Sequence, residues 1–400
     1  MLGIRPAAGI EVERAVVLAG DAGVGKTRLL TELRDVAFTE GWQVVAGHCL
    51  DFGDSALPFL PFSEIIGRLV TDSPSLVDTV AERHPALGRL RPGRRLLSDH
   101  EPADVTAALD SAVDRGALYD AVHALLDAAG AMRPLLLVVE DTHWADRSTR
   151  DLLSFLFSRP FSSSVALVAS YRSDDLHRRH PLRRTVAEWA RIPGVGRVQL
   201  ARLPSEDVRA LVHQLHPAPL TEADLSGIIR RADGNAFFVE ELVGASALPG
   251  SLPDDLAELL LVRLDQLGDE AQLVVRCAAV AGRRIGHDLL IAAAGVDATT
   301  LEIGLRDAIG HNVLVHSGGD SYAFRHALLA EAVYDDLLPG ERVRLHAAFA
   351  TALGEGSALG TAAELARHAR VARDLVTALN ASVRAGDEAM SVGGPEEAAH

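Results

Sequence analysis

Aromatic residues are scarce, at 4% of the 400 positions, so Leu, Ala and Val must fill the cores. Cysteine is almost absent: Cys49 and Cys277 are the only two. They are far apart and flank no metal-ligand spacing, which excludes a disulfide framework and suits reduced thiols in a cytoplasmic protein. The N-terminus lacks the charged-then-apolar pattern of a signal peptide. Apolar runs such as Leu135–Val139 fall far short of the roughly 20 residues that span a bilayer. Positive charge is also in deficit, with a net charge of −16. That argues against a chain that grips nucleic acid by itself, because phosphate neutralisation needs a basic surface. What remains is a globular composition, 48% hydrophobic and 24% charged, long enough for two or three domains with real cores.

The first informative stretch is Ala15–Arg28. An apolar run ends in a glycine-rich turn, and a helical pattern of Leu29, Leu30, Leu33 and Ala37 follows until Gly41. Gly20-x4-Gly25-Lys26-Thr27 fits the phosphate-binding loop G-x-x-x-x-G-K-[ST]. Glycines such as Gly20, Gly23 and Gly25 let consecutive backbone N–H groups, Val24 and Arg28 included, turn toward phosphate oxygens. The helix start adds its positive dipole end. Lys26 would reach the β/γ-phosphates and the Thr27 hydroxyl would ligate Mg²⁺. An ordinary glycine-rich strand–helix turn is the plain alternative.

A second run, Leu135–Val139, reads as a strand buried on both faces and ends in Glu140 and Asp141. Acids at the carboxyl end of such a strand, beside a phosphate loop, are where Mg²⁺ is held; otherwise they are solvated acids capping the next helix. A third buried strand, Ser164–Ser170, runs into Tyr171 and Arg172. Arg172 either senses the terminal phosphate or pairs on the surface with Asp174 or Asp175. Strands at 43–47 and 196–200 complete a parallel sheet interleaved with helices. His48-Cys49 reads as a packed strand end, residues 88–110 as a surface insertion, and 112–129 as a helix.

From Leu203 the pattern turns helical. Ser205 and Thr221 are N-cap candidates, and Gly234-Asn235 separates one helix from the next. Residues 247–253 read as a linker. Helices at about 254–267, 269–281 and 299–310, followed by a hairpin over 312–324, suggest a winged helix. Its third helix carries Glu302, Arg306 and Asp307 and is not a basic recognition helix, so a regulatory packing role is expected. Residues 362–371 and 374–390 read as a helical pair, the start of a repeat array that needs further repeats to bury its face.

With these residues in place the chain resembles a STAND-class NTPase, and more narrowly the ATPase region of the large ATP-binding LuxR-type transcriptional regulators. The resemblance rests on residues 20–28, 135–146, 168–172, 234–242 and 324–334. It implies an α/β fold: a P-loop parallel sheet with a helical lid, then a winged helix and the start of TPR-like repeats. The corresponding bounds are 1–201, 202–246, 254–353 and 361–400. It also implies a nucleotide switch, closed with ADP and open and self-associating with ATP. A signal on the C-terminal repeats prompts exchange, and slow hydrolysis resets the switch. Asp141, Glu140, Lys26 and Arg172 would carry hydrolysis, with Thr27, Glu140 and Asp141 on the metal. His326 resembles the histidine of the Met-His-Asp motif that reads the ADP β-phosphate. The sequence departs from the family where Ala236 stands in place of a proline and Glu140 in place of an aspartate. A Gly-Arg-Glu box ahead of the first strand and a C-terminal helix-turn-helix are not among these residues. DNA would then be reached only through a domain outside this chain. Two other functions fit the same motifs: an ATPase module regulating an attached nucleotidyl cyclase or protein kinase, and a nucleotide-binding scaffold that does not hydrolyse.

Overall fold

The computed structural model describes residues 14–50, 58–90, 111–177, 180–216, 220–246, 261, 264–282, 284–317, 319–356 and 360–391. Among these, one unit holds residues 14–21, 26–200 and 382–391, and a second holds 22–25 and 201–381. The fold is α/β, as the strand–helix alternation implies.

The first unit is built on β1 (Ala15–Gly20), β2 (Gln43–His48), β3 (Leu135–Glu140), β4 (Val165–Arg172) and β5 (Val195–Gln199). The order is β2-β3-β4-β1-β5, and every pairing is parallel. β3 and β4 are buried along their whole length, which is why both are written as unbroken apolar runs. Alternation still operates inside the run. Leu135, Leu137 and Val139 join one core, while Leu136 and Val138 join another with Leu18 and Leu30. Each such side chain contributes about 1.5–3 kcal/mol by leaving water. The helices of this unit are α1 (Lys26–Thr39), α2 (Leu60–Asp72), α3 (Pro74–Arg83), α4 (Ser111–Met132), α5 (Arg147–Ser158) and α6 (Pro181–Trp189). Asp146 caps α5 by accepting from the Thr149 N–H at 2.8 Å.

In the second unit, α7 (Ser205–Leu215), α8 (Glu222–Ala232) and α9 (Ala236–Ser246) close on Val208, Val212, Leu225, Ile228, Val239 and Leu242. The expected Thr221 cap is present and accepts from the Asp224 N–H at 3.2 Å. α8 ends on two left-handed residues, Asp233 and Gly234. A Cβ at Gly234 would lie 2.4 Å from the Leu203 carbonyl oxygen, so the position admits only glycine.

Next come α10 (Asp269–Ala281), β6 (Arg284–Gly286), α11 (His287–Ala294), α12 (Ala298–Gly310), β7 (Leu314–His316) and β8 (Ser321–Phe324). The three strands form an antiparallel sheet in the order β6-β8-β7. The hairpin was expected; β6 and α11 were not. The chain continues through α13 (Ala327–Asp336), α14 (Pro339–Gly354), α15 (Ala362–Val371) and α16 (Leu375–Ser391). The expected linker at 247–253, and most of the helix at 254–267 and of the insertion, lie outside the described residues. Among the described residues no helix is long and apolar enough to cross a membrane.

Candidate nucleotide site

The parallel register sets the site. Gly20 at the end of β1 lies opposite Arg172 at the end of β4, and His48 at the end of β2 lies opposite Glu140 at the end of β3. Carboxyl ends of strands in such a sheet are where ligands are held. After β1 the loop turns through Gly23 and Gly25, at φ 75° and 110°. Lys26, the only lysine in the chain, opens α1 and is buried. Its Nζ donates to the carbonyl oxygens of Gly20 and Asp21, each at 2.7 Å. Val24 is buried, whereas Thr27 and Arg28 are exposed, and Arg28 pairs with Glu32 at 2.6 Å.

Burial and then the field of Arg172 pull the Lys26 ammonium down to a pKa of about 8. Arg172 is itself buried, with its guanidinium 5.0 Å from the centre of the Trp144 ring. It also stands 3.8 Å from Asp175, one of the two ion-pair partners expected from the sequence, although the arginine is buried and not on the surface. Two buried cations stand beside a glycine loop, with Asp21, Asp174 and Asp175 also acting on Lys26. Cations and loop N–H groups are the donors that a phosphate accepts from.

The acids behave differently from one another. Arg34 of α1 donates to Glu140, and His48 Nε2 lies 3.4 Å from the same carboxylate oxygen. His48 also meets Glu64 of α2 through Nδ1 at 3.1 Å and through its backbone N–H at 2.9 Å. Burial opposes a charge on this imidazole, but hydrogen bonds to Glu140 and Glu64 outweigh it and raise the pKa to about 9. The carboxylate expected on a metal is therefore engaged by two cations, and His48 is a charged bridge rather than a plain strand end. Arg34, His48 and Glu64 were missed as site residues, because only the pairing of β2 with β3 brings them to Glu140.

Asp141 adopts a left-handed conformation at φ 57°, and its N–H donates to Ser170 Oγ at 3.3 Å. Thr142 Oγ1 donates to the Ser170 carbonyl at 3.0 Å. His143 Nδ1 accepts from the Arg172 N–H at 3.4 Å, which leaves the ring proton on Nε2, 3.4 Å from Asp175. Burial, then Arg172, Lys26 and His180, push its pKa down to about 2, so the ring is neutral. Among the described residues no cluster of three or more His, Cys, Asp or Glu could hold a metal by itself. Mg²⁺ asks for less, one or two protein oxygens plus substrate phosphates.

Residues 22–25 of the loop are held within the second unit. Asn235 Nδ2 donates to the Ala22 carbonyl at 2.8 Å, and the Phe237 N–H donates to the Gly23 carbonyl at 3.1 Å. Asn235 Oδ1 also accepts from the Phe237 N–H at 3.1 Å. Asn235 is thus a loop anchor, where the sequence suggested only a helix break. His326, just before α13, packs 4.3 Å from the Phe237 ring and 3.5 Å from Glu240.

Residues 4–168 match the family described as AAA ATPase domain. That stretch of the chain is similar to an AAA ATPase domain. An uncharacterized protein of Rhizobium meliloti (strain 1021) is 28% identical over 420 residues, covering 94% of this chain and 38% of that protein. Among solved structures, the Signal Transduction ATPase with Numerous Domains protein with a tetratricopeptide repeat sensor from Pyrococcus horikoshii superposes with a TM-score of 0.55. The identity is 14%, and the match covers 96% of this chain and 52% of that one, a likeness of fold. The chain thus spans about two fifths and about half of the lengths of these two.

Proposed function

We propose that the AAA ATPase domain binds ATP and ADP with Mg²⁺ and works as a signal-responsive switch of the STAND type. The observation that carries this reading is the pair of buried cations, Lys26 and Arg172, at the carboxyl ends of adjacent strands beside a glycine loop. Lys26 and the loop N–H groups hold the β- and γ-phosphates. Arg172 reads the terminal phosphate from β4. The Thr27 hydroxyl and Asp141 form the metal side, and Asp141 accepts the proton of the attacking water. Bound Mg²⁺ supplies charge neutralisation on the phosphate oxygens. Glu140 stays with Arg34 and His48 unless that pairing opens, which favours slow turnover and gives the non-hydrolysing scaffold its one point of support.

On this reading residues 1–201 form the nucleotide-binding domain and 202–246 the lid. Residues 254–353 form a winged helix, supported by the order helix, strand, two helices and hairpin. Residues 361–400 begin the repeats. His326, lodged against Phe237 and Glu240, ties the lid helix to α13 and reports the diphosphate state. Self-association in the ATP state, a cytoplasmic setting and transcriptional output through a LuxR-type DNA-binding domain outside this chain complete the proposal.

Because Lys26 is the only lysine, acylation tests the central claim directly. ADP or ATP with Mg²⁺ should lower acylation of the Lys26 peptide at least tenfold, read by mass spectrometry against the N-terminal amine. Lys26→Ala should abolish binding of a fluorescent ATP analogue. Equal labelling with and without nucleotide refutes the assignment.

A further inference from the structure

After β3 the chain makes one short 3-10 turn, Thr142–Trp144, before α5 begins at Arg147. Three hydrogen bonds fasten this stretch to the end of β4. The Asp141 N–H donates to Ser170 Oγ at 3.3 Å, and Thr142 Oγ1 donates to the Ser170 carbonyl at 3.0 Å. The Arg172 N–H donates to His143 Nδ1 at 3.4 Å. The turn therefore grips the strand at two residues, one of them Arg172 itself. Its last residue, Trp144, lies 4.4 Å from the His143 ring and packs against the larger core of the first unit. These ties put the indole beside the arginine side chain, with the guanidinium carbon 5.0 Å from the ring centre. That is inside the roughly 6 Å within which an aromatic face attracts a cation.

Three neighbours act on that guanidinium. Lys26 repels it, by the same interaction that lowers the lysine pKa. Asp175 attracts it, but the pair is 3.8 Å apart and the carboxylate is 41% exposed, so water screens the attraction. Trp144 attracts it in a desolvated setting, where such contacts are strongest, since Arg172 is only 7% exposed. Contact with an aromatic face takes up none of the five N–H donors of a guanidinium, whereas a carboxylate partner takes them. A ring can thus keep the cation near Lys26 and leave its donor chemistry to a phosphate. An arginine not held in this way loses rotamer freedom when it meets a ligand, and that loss weakens binding.

We propose that Trp144 is a positioning residue, which holds Arg172 ready for the terminal phosphate of a nucleoside triphosphate and so sets a preference for ATP over ADP. This role rests on Arg172 meeting that phosphate, as in the proposed function. ADP lacks the phosphate, so the ring contributes to the binding of ATP alone.

The test measures Kd for ADP and for a non-hydrolysable ATP analogue with Mg²⁺ on the full 400-residue chain, by displacement of a fluorescent ADP analogue. Trp144→Leu should weaken the ATP analogue about tenfold, the loss of one desolvated cation–ring contact, and leave ADP within about twofold. Trp144→Phe keeps a ring that holds cations less well, so it should weaken the ATP analogue about threefold. In an Arg172→Ala chain, Trp144→Leu should have no further effect, because a positioning residue acts only through the group that it positions. Equal weakening of ADP and the ATP analogue, or an effect that persists without Arg172, is what a purely structural role of Trp144 predicts, and either overturns the proposal. So does an unchanged preference in both Trp144 variants. If Trp144→Leu does not fold, Trp144→Phe decides alone, between the threefold loss confined to the ATP analogue and no such loss. Arg172→Ala by itself separates the two assignments. A preference lost there but intact in the Trp144 variants removes Trp144 and keeps Arg172, whereas a preference intact in Arg172→Ala removes both.

Discussion

Replacing Gly23 with alanine tests how residues 22–25 are held within the second unit. Two costs add. Gly23 sits at φ 75°, where an L-residue is strained by roughly 1 kcal/mol. The new Cβ would also stand 2.7 Å from Asn235 Oδ1, 3.2 Å from its Nδ2 and 3.0 Å from the Phe237 Cβ. Asn235 is buried and held by its bonds to Ala22 and Phe237, so it moves only by giving them up. Losing two buried hydrogen bonds costs about 2 kcal/mol. The total is about 3 kcal/mol. Gly25→Ala is the control: φ is 110°, but a Cβ there meets nothing within 4 Å, so only backbone strain of about 1–2 kcal/mol remains.

The assay is a double-mutant cycle with Asn235→Ala, read as hydrogen-exchange protection of the α9 amides, since a chain of two units need not unfold in one step. Asn235→Ala removes the two amide atoms that the Cβ strikes and leaves the Phe237 Cβ at 3.0 Å, so Gly23→Ala should then cost about 2 kcal/mol less. A coupling energy of about 2 kcal/mol is expected. Equal costs for Gly23→Ala and Gly25→Ala, or coupling below about 0.5 kcal/mol, would refute the reasoning.

Asp141→Asn should keep nucleotide affinity and lower phosphate release about 100-fold or more, since asparagine also tolerates the left-handed backbone but accepts no proton; unchanged turnover would remove Asp141 from the mechanism. Gly47→Ala should block folding, because its Cβ would lie 2.2 Å from the Pro61 carbonyl oxygen, whereas Gly88→Ala, with nothing within 4 Å, should leave the circular dichroism unchanged. Burial, then Arg367, pulls His346 down to about 4 and His368 to about 2, with Arg342 also acting on His346. The native state thus binds fewer protons than the unfolded state below pH 6.5. The stability of this region is complete above that pH and falls by up to about 1.4 kcal/mol per unit per histidine as the pH drops toward 4. Exchange protection in α14 and α15 measures it, and His368→Gln should flatten the slope. His326→Ala should speed release of a fluorescent ADP analogue; an unchanged rate would end its assignment to the diphosphate state.

What could be read from the chain follows from the length over which a pattern repeats. Leu135–Val139 and Val165–Ser170 announce themselves because a strand covered on both faces must be apolar throughout. The helical pair after residue 361 is equally plain, its start fixed by the Thr361–Glu364 capping box. β6 is only three residues long, between Gly282 and Gly286, too short for any period to register and punctuated like a loop. Strand order is harder still, since no residue in β1 or β3 records that β4 lies between them. That order decides the character of the site. It sets Arg172 opposite Gly20, where one cation lowers the pKa of the other, and it sets His48 opposite Glu140, where a second histidine is held charged. His143 and His48 are the same residue type at neighbouring strand ends, yet one is neutral among cations and the other protonated between carboxylates. A ligand that drew Glu140 toward the loop would have to part this buried carboxylate from Arg34 and His48, of which His48 would keep Glu64. The sheet order therefore opposes rapid cycling of that acid, and a machine built for fast turnover would not place two half-buried cations on it.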